Sequence, residues 1–313
     1  MTPSLSILIV TYRSGADIDT CLALLTASRI ERAYEVIVVD NASGDGTPER
    51  IAARWPEVRL IAETRNHGFA GANAVAYAAC RGATILLLNP DAYLRDPHAV
   101  AAALAHLDAH PDVGAVGLRL VFEDGRHQVG DAGFEPRPLS VAVHAAGLSG
   151  LFGLRGLYLS GRQARAGGPV AVDWLCGAFL MLRREAVEAI GGLSSPLFLY
   201  GEDVDWGCRL RDAGWRVAYL PDPAVVHLQG GSGSTRSPRW LDGLASVYAL
   251  RNARRRLSSP AFFAVPLWLG FTARAAAYGI AGRLRRRPDL LRRARDMRRF
   301  ATHVSGLGQG EAS

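Results

Sequence analysis

Three carboxylates stand close together near the start of one predicted helix: Glu202, Asp203 and Asp205. Carboxylates in a first turn are favoured by the helix dipole, which explains the group without any catalytic role. Alternatively, crowding raises the pKa of one member and makes it a general base, while Arg209 and Arg211 keep the others ionised. The spacing leaves both interpretations open.

Polar turns follow four predicted strands in succession. They are Thr11-Tyr12-Arg13, the turn 40–46, the turn 65–73 and Asn89-Pro90-Asp91. Because ligands bind at the carboxyl ends of strands in an open α/β sheet, these turns predict a nucleotide-sized site along one edge. The turns lack the G-x-G-x-x-G pattern and the chain contains no lysine, which argues against a nicotinamide dehydrogenase and a P-loop enzyme.

Two carboxylates in the strand-end turns, and one imidazole further along the chain, have side chains suited to binding a nucleotide or a metal. Asp40 can accept hydrogen bonds from a base imide or a ribose hydroxyl, although the same pattern also makes an ordinary N-cap and turn. Asp91 can hold a divalent cation while substrate phosphates complete the coordination, but Asn89-Pro90-Asp91 is also a plain β-turn. His227 precedes the glycine-rich residues 230–234 and could ligate a metal or a diphosphate, whereas a lone histidine is more often structural.

The elements that must position these residues alternate between strand and helix over the first 120 residues. Apolar runs predict strands at 5–10, 35–39, 58–61, 83–88 and 113–118, and the stretches between them predict helices at 18–27, 47–54, 69–80 and 97–109. Near-continuous apolar strands separated by helices require a buried parallel sheet. We therefore predict an α/β fold with a doubly wound, mainly parallel sheet.

The second part of the chain has a weaker pattern. Residues 122–170 are rich in Gly, Pro and Arg without a sustained period, which predicts a long irregular excursion over a site. Beyond it, the pattern predicts a strand at 175–182, helices at 184–190 and 202–213, and short strands at 217–220 and 224–226.

Composition and cysteine usage limit the class of protein. The 313 residues are 49% hydrophobic and 21% charged, which excludes disordered and collagen-like chains and fits a globular enzyme. The four cysteines are far apart, without a C-x-x-C pair, which argues against a zinc module or a disulfide framework. Strand-like sequence directly after Met1 predicts that there is no signal peptide, so we expect a cytoplasmic protein.

Charge is distributed unevenly along the chain. All 36 basic residues are arginine; residues 1–235 carry 20 of them against 25 acidic residues, whereas residues 236–313 carry 16 against four. The net charge of +7 therefore comes from the C-terminal part, which predicts an anionic partner, either a membrane or nucleic acid. Apart from Phe300 no aromatic residue is interleaved in its arginine-rich stretch, so we expect no nucleic acid.

The C-terminal part predicts contact with a membrane surface. Residues 259–282 are apolar and aromatic, but Arg274 interrupts them, and a membrane span needs about 20 unbroken apolar residues. Residues 283–300 follow as an amphipathic stretch rich in arginine, and this combination favours an interfacial anchor on anionic lipid. A helical pair with a solvated basic face is the alternative, and pairing of two chains into a homodimer is also left open.

Taken in order, these motifs resemble the family-2 glycosyltransferases of the GT-A fold, in a rhamnosyltransferase-like branch. The resemblance covers residues 4–234. Its strings are Ile9-Val10-Thr11-Tyr12, Val39-Asp40-Asn41-Ala42-Ser43, the turn 65–73, Leu88-Asn89-Pro90-Asp91, Trp174-Leu175-Cys176-Gly177-Ala178, Gly201-Glu202-Asp203-Val204-Asp205-Trp206 and His227-Leu228-Gln229-Gly230-Gly231-Ser232.

The resemblance implies a domain organisation and a reaction. A GT-A domain would span 1–235, with a nucleotide-sugar half at 1–120 and an acceptor half at 121–235, and residues 236–313 would form a helical appendage. The enzyme would transfer a sugar with inversion, L-rhamnose from dTDP-rhamnose or a sugar from a UDP donor, to a hydroxyl of a glycan or polyprenyl-linked acceptor. It would work at the inner face of a bacterial membrane, in the synthesis of cell-surface polysaccharide.

The resemblance also implies roles for individual residues. Asp203 would be the base that deprotonates the acceptor, and Asp91 and His227 would hold Mg²⁺ or Mn²⁺. Asn89 stands where the family's DxD motif has its first aspartate, which weakens the expectation of strict metal dependence. The donor nucleotide would contact Thr11, Tyr12, Arg13, Asp40, Asn41, Asn66, Gly68, Asn73, Asn89 and Asp91. The acceptor would contact Trp174, Cys176, Gly177, Glu202 and Trp206.

Two other functions compete with this one. A sugar-1-phosphate nucleotidyltransferase usually has a glycine-rich loop with Arg or Lys directly after its first strand, and residues 11–15 do not provide it. A degenerate module that binds without turnover is disfavoured because Asp91, Asp203 and His227 are all present.

Overall fold

The computed structural model describes residues 3–165, 167–197, 200–229, 238–253 and 259–307. The strands in this part of the chain are β1 Leu5–Thr11, β2 Tyr34–Asp40, β3 Arg59–Ala62, β4 Thr84–Leu88, β5 Ala92–Tyr93, β6 Val113–Val121, β7 Ala132–Gly133, β8 Val170–Val172, β9 Trp174–Leu175, β10 Phe179–Arg183 and β11 Arg216–His227. The helices are α1 Ile18–Thr26, α2 Thr47–Arg54, α3 Gly68–Ala79, α4 Ala99–Ala109, α5 Pro138–Ala145, α6 Arg184–Ala189, α7 Glu202–Asp212, α8 Trp240–Asn252, α9 Ala261–Leu284 and α10 Pro288–Gly306. The chain forms two compact units, residues 1–133 with 161–232, and residues 134–160 with 233–313.

The first unit is built on a mixed, mostly parallel sheet in the order β3-β2-β1-β4-β10-β6-β11-β5, with β8 beside β11. Strands β1 to β4 are parallel to one another, as are β6 and β11, whereas β10 is antiparallel to both of its neighbours. This arrangement confirms the predicted α/β class and its mainly parallel sheet. The register places Thr11 beside Asp40 at the carboxyl ends of β1 and β2.

The sheet forms because its strands are apolar on both faces. Ile7 and Ile9 of β1 are fully buried, and Ile18 and Leu22 of α1 belong to the same core. Burying one such side chain contributes about 1.5–3 kcal/mol to the free energy of folding, so we expect the central strands to be the most stable part of the unit. The polar residues at the strand ends are therefore held on a rigid base.

Two strand predictions beyond residue 170 were wrong in detail. The predicted strand 175–182 is divided into β9 and β10 by a turn at residues 176–178. The predicted strands 217–220 and 224–226 are one strand, β11, whose register against β6 shifts between Leu220 and Ala224. The prolines at 221 and 223 hide this continuity in the sequence, because proline usually ends a strand.

The second unit is helical, and it contains α5, α8, α9 and α10. Helix α9 packs along α10 and also contacts α5 and α8. The prediction of an irregular excursion over 122–170 was therefore wrong at α5, whose eight residues are too short to show a helical period. Helix α9 runs through Pro266 for 24 residues and is, by length and composition alone, long and apolar enough to cross a membrane.

Candidate active site

The end of β1 and the turn after β2 are joined through the carboxylate of Asp40. Thr11 Oγ1 donates a hydrogen bond to Asp40 Oδ1 at 3.0 Å, and Ser43 Oγ donates to the same oxygen at 2.5 Å. The backbone N–H of Ser43 donates to Asp40 Oδ2 at 3.0 Å. All three residues are buried, so the carboxylate has one fixed orientation.

Asn41 ties this turn to the turn that precedes α3. Its Nδ2 donates to Asn66 Oδ1 at 3.0 Å and to the carbonyl of Gly68 at 3.1 Å, and its Oδ1 accepts the backbone N–H of His67 at 2.8 Å. Gly68 has a φ of +72°, a conformation that glycine adopts readily. Asn73, also predicted at this site, is buried and donates from Nδ2 to the carbonyl of Phe69 at 2.9 Å.

Tyr12 and Arg13 form the exposed border of the same edge. Tyr12 is 46% exposed, and the guanidinium carbon of Arg13 lies 5.3 Å from the centre of its ring. Arg13 has a φ of 54°, and its backbone N–H donates to Ser43 Oγ at 2.9 Å. A cation in this position can contact an anionic ligand.

Asp91 and His227 meet where the short strand β5 pairs with the end of β11. His227 lies opposite Ala92 in the register, and its Nε2 is 3.3 Å from Asp91 Oδ1. Asn89 is held nearby, since its backbone N–H donates to the carbonyl of Ala178 at 3.0 Å. The glycine-rich residues 230–234 lie outside the described residues.

The pair of Asp91 and His227 fits a divalent cation whose remaining ligands come from elsewhere. A carboxylate oxygen and an imidazole nitrogen are both ligands of such ions, and Mg²⁺ in particular keeps waters and substrate phosphates in its shell. Among the described residues no group of three or more His, Cys, Asp or Glu could hold a metal without such help. A metal at this place therefore requires a bound phosphate or water.

Asp203 lies in the first turn of α7 in a partly enclosed position. Its Oδ1 accepts the backbone N–H of Val204 at 2.8 Å, and the backbone N–H of Gly177 also donates to its carboxylate. Burial raises the pKa of Asp203 above the usual range, whereas these two donors lower it. Asp203 as a residue is half-buried, and a carboxyl group with a raised pKa in such a position can accept a proton from a ligand.

Glu202 is the buried neighbour of Asp203. Burial raises its pKa first, and the negative charge of Asp203 raises it further. Its Oε2 has no hydrogen-bond partner among the described residues, and only its own backbone N–H lowers its pKa, whereas the backbone N–H groups of Val204, Gly177 and Asp203 itself all lower the pKa of Asp203. The ionised form is therefore better stabilised on Asp203, and Glu202 is the member that keeps a proton.

The sequence-based explanation of the raised pKa needs correction on two points. Burial is the largest cause at both carboxylates, and the predicted crowding raises only the pKa of Glu202, through the charge of Asp203. Arg209 does pair with Asp205, at 3.0 Å, but Arg211 pairs with Asp173, at 3.1 Å, outside the predicted group.

Several of the residues predicted to contact the acceptor lie close to Asp203. Cys176 is half-buried, and burial and the charge of Asp203 raise the pKa of its thiol. Trp174 and Trp206 are almost wholly buried, so little of either side chain is exposed for contact with an acceptor. The ring of Trp206 lies 6.3 Å from that of Phe69, between ring centres.

Gly177 contacts both Phe69, in the turn at 65–73, and Asp203. A Cβ added to Gly177 would lie 2.9 Å from Phe69 Cε1, which is too close without a shift of the ring, and the backbone N–H of Gly177 donates to Asp203. The structure thus brings the strand-end turns, Asp91, His227 and Asp203 to one side of the first unit. Ser43 and Phe69 were not among the predicted site residues, although both stand within the family-like motifs, and neither was Gln128, which no motif marks.

Comparison with known proteins places the chain in a family. Residues 3–247 match the family model described as "Glycosyltransferase like family 2". The chain is 32% identical over 240 residues to the N-acetylglucosaminyl-diphospho-decaprenol L-rhamnosyltransferase of Mycobacterium tuberculosis, covering 72% of this chain and 76% of that protein. It is 28% identical over 246 residues to the O-antigen biosynthesis protein RfbC of Myxococcus xanthus, covering 74% of this chain and 18% of that one.

Solved structures share the fold at lower sequence identity. The mannosyltransferase PcManGT from Pyrobaculum calidifontis, in complex with GDP-Man and Mn²⁺, superimposes with a TM-score of 0.63 at 20% identity, covering 100% of this chain and 89% of that one. Residues 1–349 of TarS from S. aureus, in complex with UDP-GlcNAc, give a TM-score of 0.52 at 18% identity, covering 99% and 92%. Both resemblances concern the fold alone.

Proposed function

This chain belongs to glycosyltransferase family 2, and from that premise we propose that it transfers L-rhamnose from dTDP-rhamnose, with inversion, to a hydroxyl of a lipid-linked N-acetylglucosamine. The membership makes it a glycosyltransferase. The choice of sugar and acceptor is supported by the 32% identity to a protein named as an N-acetylglucosaminyl-diphospho-decaprenol L-rhamnosyltransferase. The observation that carries the mechanism is Asp203, a half-buried aspartate whose pKa is raised by burial, on the same side of the unit as Asp91 and His227.

In this proposal the donor nucleotide binds along the strand-end turns. The carboxylate of Asp40, fixed by Thr11 and Ser43, orients the polar groups that face the base and ribose. Asn41 holds the turn at Asn66 and Gly68 in place, which shapes the same pocket. Arg13 stands in the turn directly after β1, and its exposed position suits an anionic group of the donor.

Asp91 and His227 would hold Mg²⁺ or Mn²⁺ together with the diphosphate of the donor. Bound between these two residues, such a cation would supply positive charge against the negative charge of the departing nucleoside diphosphate. Asn89 would contact the donor through its amide. The fit rests on Asp91 Oδ1 and His227 Nε2, which lie 3.3 Å from each other and would leave the other coordination positions to phosphate oxygens.

Asp203 would remove the proton of the acceptor hydroxyl as that oxygen forms a bond to the anomeric carbon and the bond to the diphosphate breaks. The proton ends on Asp203, and the electron pair of the broken bond leaves with the diphosphate. One displacement inverts the anomeric configuration, so no second, nucleophilic carboxylate is needed. Protonated Glu202 beside it contributes no charge of its own and leaves Asp203 as the single base.

We also propose that the protein works in the cytoplasm, in peripheral contact with the inner face of the membrane. A lipid-linked acceptor places the reaction at that surface. The arginine-rich residues 236–313, with 16 arginines against four acidic residues, suit an anionic leaflet.

Calorimetric titration with dTDP, UDP, GDP and NAD, each with and without Mn²⁺, tests the proposed donor site. We expect dTDP to bind in a Mn²⁺-enhanced manner and more tightly than the other three. Tightest binding of UDP would replace dTDP-rhamnose by a UDP-sugar as the donor. If no diphosphate binds in either condition, the proposed transfer is wrong and the chain is a module without turnover.

A further inference from the structure

One face of α9 carries a row of exposed apolar side chains. They recur every three or four residues, or at multiples of that spacing, as expected for one side of a helix, and they are 43–80% exposed: Phe262, Val265, Trp268, Leu269, Ile280 and Leu284. The opposite side of the helix, at Phe263, Leu267 and Phe271, is fully buried within the second unit. Exposed rows of this size are uncommon on proteins that have no partner there.

Helix α10 places basic and hydroxyl groups beside this row. Arg298, Thr302 and Ser305 of α10 line an open groove of about 430 Å³ together with Trp268 and Thr272 of α9. Arg295 lies one helical turn before Arg298, and both are exposed. Cationic and hydroxyl groups next to an apolar row match the two layers of a lipid surface, its headgroups and its acyl chains.

We propose that this face, formed by the apolar row of α9 and the groove-side residues of α10, docks on an anionic lipid bilayer with α9 lying in the plane of the interface. The proposal rests on the proposed function, because a lipid-linked acceptor brings the enzyme to a membrane. Charge favours lipid over a second copy of the chain, because two arginine-rich faces repel each other. The net charge of +12 over residues 236–313 is complementary to an anionic leaflet.

The packing of α10 against α9 indicates that α9 lies on the membrane and does not cross it. Helix α10 runs beside α9, and its arginines at 292, 293, 295, 298 and 299 are all exposed. If α9 crossed the bilayer with this packing, several of these charges would enter the hydrocarbon, where they are costly. In the interfacial position they remain at headgroup level, while Trp268 and Leu269 enter the upper acyl region.

Trp268 provides a direct probe of the docked position. It is the most exposed of the six tryptophans, all of which lie in the described residues, and the others are buried or half-buried. We expect the full chain to bind vesicles with 30% phosphatidylglycerol, and lipids brominated near the headgroup end of the acyl chain to quench its fluorescence more than lipids brominated deeper. Trp268→Phe should remove this quenching without preventing binding. Strongest quenching by the deepest bromines would show a spanning helix and overturn the proposal.

Charge variants test which residues make the contact. Arg295→Gln with Arg298→Gln should weaken partition onto these vesicles about 25-fold, because each basic residue near an anionic surface contributes about fivefold. Arg54→Gln with Arg126→Gln removes the same charge from exposed positions of the first unit and should change partition less than twofold. The proposal would be overturned if both double variants lost the same amount of vesicle binding, or if the wild type did not bind vesicles. It would also be overturned if the wild type were a dimer and the Arg295/Arg298 variant a monomer. Transfer to a soluble acceptor analogue in the same variants tests the proposed function separately, since docking does not enter that assay.

A second inference concerns Gln128, which contacts His227 twice across 99 positions of sequence. The Nε2 of Gln128 donates a hydrogen bond to the backbone carbonyl of His227, and its Oε1 lies 3.0 Å from His227 Nδ1. Both side chains are buried. A carbonyl oxygen can only accept, so the NH₂ group of Gln128 must face it and the amide oxygen must face Nδ1.

This arrangement selects one tautomer of His227. Because the amide oxygen can only accept, Nδ1 must carry the proton, and in the neutral ring Nε2 then has a free lone pair. That lone pair faces Asp91 Oδ1 at 3.3 Å. We infer that Gln128 is a positioning residue, which holds His227 in the Nδ1–H form and directs Nε2 towards the proposed metal position.

Nitrogen NMR of ¹⁵N-histidine in the metal-free protein reads this tautomer directly. Wild-type His227 should show the Nδ1–H form at pH 8, whereas Gln128→Met, which keeps the length but not the hydrogen bonds, should give a substantial Nε2–H fraction. Mn²⁺ affinity in the presence of dTDP should fall 10–100-fold in this variant. Gln163→Met is the matched control and should change neither readout.

A conservative variant keeps the inference testable if Gln128→Met does not fold. Gln128→Glu retains an acceptor for Nδ1–H and should preserve the tautomer while losing donation to the carbonyl. An unchanged tautomer and Mn²⁺ affinity in Gln128→Met, or a wild-type His227 in the Nε2–H form, would overturn the assigned role.

Discussion

Replacing Asp203 by asparagine separates catalysis from folding at the proposed base. The amide has nearly the shape of the carboxylate, and its oxygen can still accept the N–H of Val204 that Asp203 accepts at 2.8 Å. What it loses is the ability to take up the acceptor proton. Glu202→Gln and Asp205→Asn make the same chemical change one position before and two positions after, so the three variants form a matched series on one helical turn.

The expected magnitudes differ because the environments differ. General-base catalysis contributes about 10²–10⁴ to the rate, so Asp203→Asn should lower kcat by that factor, a barrier increase of about 3–5 kcal/mol. Since burial raises the pKa of Asp203, a neutral amide is tolerated there and Tm should fall by only a few degrees. Glu202→Gln mimics an acid that is already protonated, and Asp205→Asn breaks only the pair with Arg209 at 3.0 Å, so both should keep kcat within about fivefold.

The assay is release of the nucleoside diphosphate during transfer, with the Kd of the donor nucleotide measured by calorimetry on the same samples. We expect the Kd of dTDP to change less than threefold in all three variants. If Asp203→Asn keeps more than a tenth of the wild-type kcat, or if Glu202→Gln loses as much as we expect for Asp203→Asn, the assignment of the base is refuted.

Further predictions test the metal ligands, the nucleotide pocket, the titration and the packing. His227→Asn should abolish the Mn²⁺ enhancement of dTDP binding in calorimetry while leaving metal-free binding within about twofold; a preserved enhancement would contradict the ligand role. Asp40→Asn should weaken dTDP binding by about tenfold or more, because it removes a charged acceptor that orients Thr11 and Ser43; unchanged calorimetric affinity would place the nucleotide elsewhere. In a pH–rate profile, kcat should fall on acidification at a pH above about 4, the ordinary aspartate range, since a raised pKa means that Asp203 takes up its proton earlier as the pH falls. Gly207→Ala should destabilise the protein by about 1–3 kcal/mol in urea unfolding, because the new Cβ would lie 2.5 Å from the carbonyl oxygen of Asp173; unchanged stability would contradict this packing.

The first half of the fold could be predicted from the sequence because its signals are local. Strand β1 is an apolar run that ends at Thr11, and β2 is another that ends at Asp40. Parallel pairing then makes the strand ends meet, and the observed register of Thr11 with Asp40 agrees with that expectation. Membership in family 2 was also predictable, because several short strings occur in a fixed order.

The remaining features depend on contacts between distant residues. The antiparallel direction of β10 follows from the paths of the segments before and after it, which no local pattern records. Helix α5 could not be predicted because it has only eight residues and because Leu139, which is apolar but 73% exposed, places an apolar side chain on its solvent side. Gln128 lies 99 positions from His227, so only the folded chain reveals their contact.

The cause of the raised pKa of Asp203 could not be predicted from the sequence either. The sequence places three carboxylates together, which suggests repulsion as the cause, but it is burial that raises the pKa of Asp203, and burial also outweighs repulsion at Glu202. Burial of this kind is a property of the tertiary structure, so the sequence could name the residue without giving the correct physical reason.

The central claim is that this chain transfers a sugar from a nucleotide donor with Asp203 as its base, and a transfer reaction with purified protein tests it most directly. The protein would be incubated with dTDP-rhamnose, Mg²⁺ and a short-chain lipid-linked N-acetylglucosamine diphosphate, and the product would be followed by mass spectrometry and by NMR of the new anomeric centre. We predict one rhamnose added with inverted configuration, and at least 100-fold less product with Asp203→Asn. Retained configuration, or equal turnover by wild type and Asp203→Asn, would contradict the account.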